Sequence, residues 1–547
     1  MAMVRFLPQN VSVSAIAGSR LIDAILAAGI LMDAPCDGAG TCGKCRARIS
    51  GGAAFEEAPH GLLAAAEREA GWVLACQTVV HGDLRVETGS TESDGLKILS
   101  EGSAFDAKVD PWITKSFAGA TTVGAGGVTI AVETGDTTAR LYGLAVDIGT
   151  TTLVAALVDL RDGRELAVAS SLNPQARQAQ DVLSRIKLGS SLEGLRGLQS
   201  SLIDELNRLV SQLTLEADVL PAHIYETVVS GNTTMLHLAA GANPVSLGKY
   251  PYKLAIEGGS HLRASDIGLG ISPHGLVYLP PLMSAYVGAD ITSGILATRL
   301  AEQRGAVLFV DIGTTGEMVL AAGGRLTATS TAAGPAFEGM NIACGMRASR
   351  GAVERFEIER GGACFRTIGG DEPLGLCGSG LLDVVAELAA HEGVDKNGRF
   401  RTNGTSEPWK KQFDVLDGKP VYRVAGPVYL SQKDVRQVQL AKAAIRAGVE
   451  LLLAVNGLAP AQVDRVLIAG SFGFHLRTES LIHLGLLPRE FLNRVEFVGN
   501  TSKTGAQAFL VNHHLRDQMK ETVREVQVLE LANDPKFEKT FLQSLAF

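Results

Sequence analysis

The sequence has no run of eighteen apolar residues and no basic-then-apolar leader. A helical membrane span and a secretory signal are therefore not expected, and a cytoplasmic location is. It also lacks an excess of positive charge. Fifty Lys and Arg stand against 58 Asp and Glu, for a net charge of -8. Neutralising a nucleic-acid backbone needs a basic face, so a general nucleic-acid binder is excluded. Cysteine is scarce, at seven residues in 547. In a reducing compartment so few thiols read as ligands or buried side chains and not as disulfides. What remains is ordinary for a water-exposed globular chain: 46% hydrophobic and 20% charged residues, with 62 glycines for turns and close backbone approaches. The length predicts two to four domains.

Four of the cysteines belong together. Cys36, Cys42 and Cys45 fall in CDGAGTCGKC and Cys76 follows in GWVLACQT, a C-x5-C-x2-C-x30-C pattern. GAGTCG imitates a dinucleotide fingerprint and GAGTCGKC a P-loop. The P-loop needs Ser or Thr after its lysine, and Cys45 stands there. Structural zinc sites draw on two paired C-x-x-C turns. Three thiolates in one glycine-rich loop with a distant fourth suit a [2Fe–2S] cluster instead, because Gly38, Gly40 and Gly43 let backbone N–H groups approach its sulfides. The loop resembles a ferredoxin, and its five-residue spacing matches the adrenodoxin-like branch. Residues 1–90 are therefore expected to be a ferredoxin-like β-grasp domain, with a helix in LIDAILAAGI. Residues 91–142, rich in Gly, Ser, Thr and Asp, read as a linker with a small hairpin from WITKSF and GVTIAVE.

From residue 143 to 547 strands alternate with helices, and one stretch occurs twice. LAVDIGTTTLV at 144–154 and LFVDIGTTGEM at 308–318 each end a strand-like run in Asp-x-Gly-Thr-Thr. An acidic residue at a strand end can hold Mg2+ through water, and the glycine and threonines can cradle phosphate oxygens. The candidates are Asp147, Gly149, Thr150 and Thr151 in the first loop, and Asp311, Gly313, Thr314 and Thr315 in the second. Glu317 follows directly and Glu338 lies further on, each able to order a water or the metal. Lys442 reads as a solvated helix lysine or one that flanks adenine. His237 reads as a core or supporting residue.

These loops, an A-G-S-x-G turn at 469–473 and small-residue helices after each half are similar to the two-lobed ATPase core of actin, sugar kinases and heat-shock chaperones. That resemblance makes Gly470 and Ser471 the adenosine turn and helices starting near Ser284 and Thr504 the crossed pair at the hinge. With the N-terminal cluster domain, and with GPAFEG, LCGSGLLD and SGNTTMLHL, the chain resembles the reductive activators of corrinoid-dependent enzymes. The fold class implied is multidomain, α+β then α/β: a ferredoxin-like domain followed by an actin-like ATPase. The resemblance implies ATP, Mg2+ and a [2Fe–2S] cluster as cofactors, with Asp147, Asp311 and Glu317 as catalytic residues. Its partners would be a corrinoid protein of a methyltransferase system and an upstream electron donor; a homodimer is left open. Better-known members carry a separate domain between linker and ATPase, for which 91–142 is too short, so that domain is expected to be missing. Two alternatives stay open: a small-molecule kinase with a redox-sensing domain, and a redox-dependent, nucleotide-gated chaperone or scaffold.

Overall fold

The computed structural model describes residues 1–547 other than 29, 31, 33–39, 41, 42, 44, 52–54, 58–61, 64, 89–107, 361, 403–406, 471–475, 532 and 533. No helix among the described residues is long and apolar enough to cross a membrane.

The N-terminal sheet follows from period-two alternation. In Ala2–Leu7, Ala2, Val4 and Phe6 point inward while Met3 and Arg5 face water. The sheet order is Val11–Ala15, Ala2–Leu7, Leu84–Thr88, Arg46–Gly51, Trp72–Leu74. The first strand pairs antiparallel with its hairpin partner and parallel with Leu84–Thr88. The helix in LIDAILAAGI spans Leu21–Ala27 and buries Leu21, Ile22 and Ile25 against this sheet.

The expected linker is shorter than 91–142. Ile113–Phe117, Ala120–Ala125 and Val128–Thr134 form a three-stranded antiparallel sheet where a hairpin was expected. The extra strand comes from AGATTVGA, whose Gly-Thr composition reads as connector, yet Thr121, Val123 and Ala125 alternate inward. Ile113 and Val123 share a core with Ala145 and Tyr225. The edge is pinned as well: Asp110 N donates to Val511 O at 2.8 Å and His513 N to Asp110 O at 2.9 Å. Residues 91–107 of the expected linker lie outside the described residues.

Glu133 ties this small sheet to the large domain. Its carboxylate accepts Lys115 Nζ at 2.5 Å, Tyr225 Oη at 2.8 Å and the Thr137 hydroxyl. Burial alone would raise its pKa, but these donors hold it down at about 2. A carboxylate depressed from 4.5 to about 2 stabilises the fold above pH 4.5, and that contribution is lost as pH falls toward 2. Trp112 stacks on His261 at 5.5 Å across this contact. Its fluorescence is therefore expected to report a transition between pH 4.5 and 2 that Glu133→Gln removes.

Two six-stranded sheets follow, and five strands of each repeat one order, the sixth being added at opposite edges. In the first the order is Glu165–Leu172, Thr152–Asp159, Tyr142–Ile148, Ile224–Gly231, Leu276–Leu279, Ser260–Arg263. In the second it is Gln527–Leu529, Arg325–Thr331, Gly316–Ala322, Val307–Ile312, Arg465–Ala469, Val495–Gly499. In both, the strand that ends in Asp-x-Gly-Thr-Thr pairs antiparallel with the next strand and parallel with a later one. The duplicated loop is thus the visible part of a duplicated sheet.

The crossed helices are Ala289–Ala297 and Thr501–Val511, starting five residues after and three before the expected places. They touch backbone to backbone. A Cβ on Gly505 would lie 2.1 Å from Ser293 O, and one on Gly294 would lie 2.7 Å from the Phe309 ring. Backbone cannot yield as a side chain can, so Gly505→Ala is expected to cost about 3 kcal/mol or more in a urea titration. The same helices bring Ile291, Phe309 and Phe509 into one core, which joins the two sheets beneath the cleft.

Candidate functional site: a two-loop cleft and a buried cysteine pair

The cleft between the sheets holds about 200 Å3, and both loops line it: Gly149, Thr150 and Thr151 on one wall, Asp311, Gly313, Thr314 and Thr315 on the other. Glu338 spans them. One carboxylate oxygen accepts Thr151 Oγ1 at 2.7 Å and the other accepts the Thr314 hydroxyl. The two threonines, 163 positions apart in sequence, are therefore bridged by one carboxyl group. The first loop is held from behind by Asn173, which donates to Gly149 O at 2.8 Å, and by Asn232, which donates to Thr150 Oγ1 at 3.1 Å. A third wall is the start of helix Gly378–Ala390, where Gly378 and Ser379 face the cleft. First-turn N–H groups of a helix are anion partners.

Four carboxylates line this space: Asp290, Asp311, Glu317 and Glu338. Burial, reinforced by Asp147, raises Asp311 to about 7. Burial, with Asp311 close by, raises Asp290 to about 8. Glu317 is raised well above its usual range by burial and by Asp290. Carboxylates driven this far toward neutrality are a donor set for a hard divalent cation, whose charge would restore their ionised form. The residues present thus fit Mg2+.

The two loop aspartates are not equivalent. Asp311 lines the cleft, but Asp147 does not. Its carboxylate accepts Asn500 Nδ2 at 2.9 Å and Ser502 Oγ at 2.6 Å, at the start of the second hinge helix. Asp147 bonds to the start of the hinge helix, and Asp290 lines the cleft close to Asp311. Asp290 went unselected in the sequence because its only local signal is an acidic residue in a helix's first turn, after Gly288.

Gly470 reaches the site through absence of a side chain. A Cβ there would lie 2.6 Å from Asp311 Oδ1. Ser471 is outside the described residues. Lys442 is neither solvated nor free to flank adenine. It is buried, donates to Ala546 O and lies 5.3 Å from the centre of the Phe547 ring, and burial lowers it to about 8. His237 is structural: its Nε2 accepts Ala255 N at 3.0 Å.

In the N-terminal domain Cys45 and Cys76 are buried side by side, with Cys76 N donating to Cys45 Sγ at 3.5 Å. A hydrogen bond from Cys45 lowers the Cys76 thiol to about 6 against the upward push of burial; Gln77, the Gly40 backbone and Arg20 add to the lowering. Thiols close to thiolate at neutral pH suit iron ligation. Gly40 sits at φ +70°, a left-handed conformation that favours glycine, and a Cβ there would come 2.6 Å from the end of the Gln77 side chain. Cys36 and Cys42 lie outside the described residues.

Comparison with known proteins covers the whole arrangement. Residues 4–81 match the 2Fe-2S iron-sulfur cluster binding domain, 142–303 the RACo middle region, and 305–547 the C-terminal domain of RACo, the ASKHA domain. The sequence is 35% identical over 419 residues to the corrinoid activation enzyme RamQ of Eubacterium limosum, covering 74% of this chain and 70% of that protein. The chain belongs to the family of reductive activators of corrinoid proteins. A second member of similar sequence is the [Co(II) methylated amine-specific corrinoid protein] reductase of Methanosarcina barkeri, 25% identical over 436 residues that cover 74% of this chain and 77% of that one. The solved structure of a reductive activator for corrinoid, iron-sulfur protein aligns over 100% of this chain and 98% of its own, with 31% identity and a TM-score of 0.73. The family's middle region is matched by the first six-stranded sheet and its helices, not by a segment inserted before them. The ASKHA match implies that the chain binds a nucleotide, and the match over residues 4–81 makes the N-terminal domain a [2Fe–2S] cluster-binding domain.

Proposed function

We propose that this activator uses ATP to drive one electron from its [2Fe–2S] domain onto the Co(II) of a corrinoid protein, yielding the Co(I) state that accepts methyl groups. The observation that carries the reading is the cleft: two phosphate loops bridged by Glu338 and walled by Asp290, Asp311 and Glu317. It stands in the same chain as a cluster-binding domain. A cluster held by Cys36, Cys42, Cys45 and Cys76 would supply the one-electron carrier, replenished by an upstream donor. The residues that would hold Mg2+ are Asp311, Glu317 and Asp290.

The rest falls to the chain's own groups. Thr151 and Thr314 give their hydroxyl protons to Glu338 in the nucleotide-free cleft, and these are the donors that phosphate oxygens need. ATP and Glu338 compete for them, so binding must swing the Pro335–Glu338 turn away. Asp147, through Asn500 and Ser502, passes loop movement to the hinge helix. Asp290, held protonated by burial and by Asp311 in the metal-free cleft, would ionise as Mg2+ binds. Each 100 mV of uphill gap costs about 2.3 kcal/mol per electron. A gap of ~200 mV therefore costs about 5 kcal/mol, within the range that differential ligand binding can bias between two states.

The test is anaerobic spectroscopy of a Co(II) corrinoid protein mixed with this chain and a reductant too weak to reduce the cobalt alone. Co(I) is expected to accumulate only with ATP, with the activator at substoichiometric amount. Equal Co(I) without ATP would overturn the coupling. A phosphorylated small molecule as the product would return the kinase reading.

A further inference from the structure

Two arginines are fully enclosed near the hinge and the loops, and they are treated differently. Arg516 makes a two-pronged ion pair with Glu226, at 2.8 and 2.9 Å. Arg185 has no exposed surface and no carboxylate at ion-pair distance among the described residues. Its guanidinium donates to neutral acceptors only: Ala179 O at 3.0 Å, Gln175 Oε1 at 3.2 Å, Met235 Sδ at 3.1 Å and Thr150 O at 2.7 Å. Burial lowers its pKa to about 10, which leaves it charged at neutral pH. A buried charge without a counter-ion is strongly unfavourable and persists where something else uses it. Here the last of its contacts is the carbonyl of the first phosphate loop. Asp181 and Glu338 act on it only from a distance.

We propose that Arg185 is a positioning residue for the terminal phosphates of the nucleotide. From beneath the first loop it fixes the Thr150 carbonyl, which orients Thr150 and Thr151. It also gives the cleft a fixed positive charge to set against four carboxylates. The counter-ion missing from the nucleotide-free protein is the phosphate itself. The inference rests on the nucleotide reading of the cleft. It extends that reading to a residue on the helix Val182–Leu188, behind the first loop.

The test uses the full-length holoprotein and three variants: Arg185→Lys, Arg185→Gln and Gln175→Glu. Gln175→Glu keeps the arginine and supplies the absent carboxylate 3.2 Å away, where the Gln175 oxygen now sits. It also guards against misfolding of Arg185→Gln, since a new ion pair should raise the melting temperature without nucleotide. Arg185→Gln and Gln175→Glu are each expected to raise the KM for Mg-ATP at least tenfold. Their iron content and their affinity for adenosine, which has no phosphate, should stay unchanged. Arg185→Lys should stay within about threefold of the wild type. An unchanged KM in Gln175→Glu overturns the proposal, as does a loss of adenosine affinity equal to the loss of ATP affinity in all three. If Asp311→Asn loses ATP turnover while the Arg185 and Gln175 variants keep it, this inference falls and the nucleotide reading stands. If the wild type itself binds no Mg-ATP, both fall.

Discussion

Asp311→Asn is expected to lower ATP hydrolysis, and ATP-dependent Co(I) formation with it, by ~100-fold or more. That is the scale on which one preorganised electrostatic group acts, and it corresponds to roughly 2.7 kcal/mol. The change is isosteric, so the Gly470 contact survives, but the amide cannot supply charge to a metal. The same substitution should raise the melting temperature of the nucleotide-free protein. Burial and Asp147 already hold Asp311 near 7, and removing a carboxyl from a cluster of like charges relieves that repulsion. A variant that gains stability without ligand and loses the stabilisation conferred by Mg-ATP would separate metal positioning from folding. Wild-type turnover in Asp311→Asn would remove this residue from the mechanism. Asp147→Asn is the contrast: it keeps an acceptor for one of Asn500 and Ser502 and is expected to cost less turnover than Asp311→Asn.

Cys76→Ala is expected to remove the visible absorbance and most of the iron while Mg-ATP hydrolysis continues. Cys76 lies next to Cys45 in a buried pocket, and its thiol already tends toward thiolate. Every thiolate in a four-cysteine set is a direct iron ligand, so one loss opens the site. Cobalt reduction should then fall to background even with saturating ATP. Iron retained at the wild-type level, or a colourless wild type carrying zinc, would contradict the ligand set. Mixing Cys76→Ala with Asp311→Asn asks a further question. If cluster and cleft act within one chain, the mixture should recover little Co(I) formation.

Much of this molecule is legible from short-range pattern. The alternation of Ala2, Val4 and Phe6, the grouping of four cysteines and the two Asp-x-Gly-Thr-Thr endings each sit within a few residues. Local chemistry is enough to read them. The small-residue composition around Gly294 and Gly505 gave the hinge helices to within a few positions, because only glycine permits their contact. The third strand at Ala120–Ala125 was missed, since its side-chain pattern is masked by the Gly and Thr that also make linkers.

The sequence by itself determined the cluster motif, the repeated phosphate loop and the family to which such a combination belongs. Tertiary structure alone decided which loop aspartate faces the cleft. Asp147 and Asp311 stand in identical local sequence, and the difference is made by Asn500 and Ser502, more than 350 positions from Asp147. It likewise placed Asp290 among the carboxylates, stretched Glu338 between Thr151 and Thr314, and buried Lys442 beneath Phe547. In each case the deciding partner is distant in the chain. Residue type and spacing carry the chemistry a side chain can do. The charges and donors that meet it, and so its pKa and its role, are set only when the sheets close on one another.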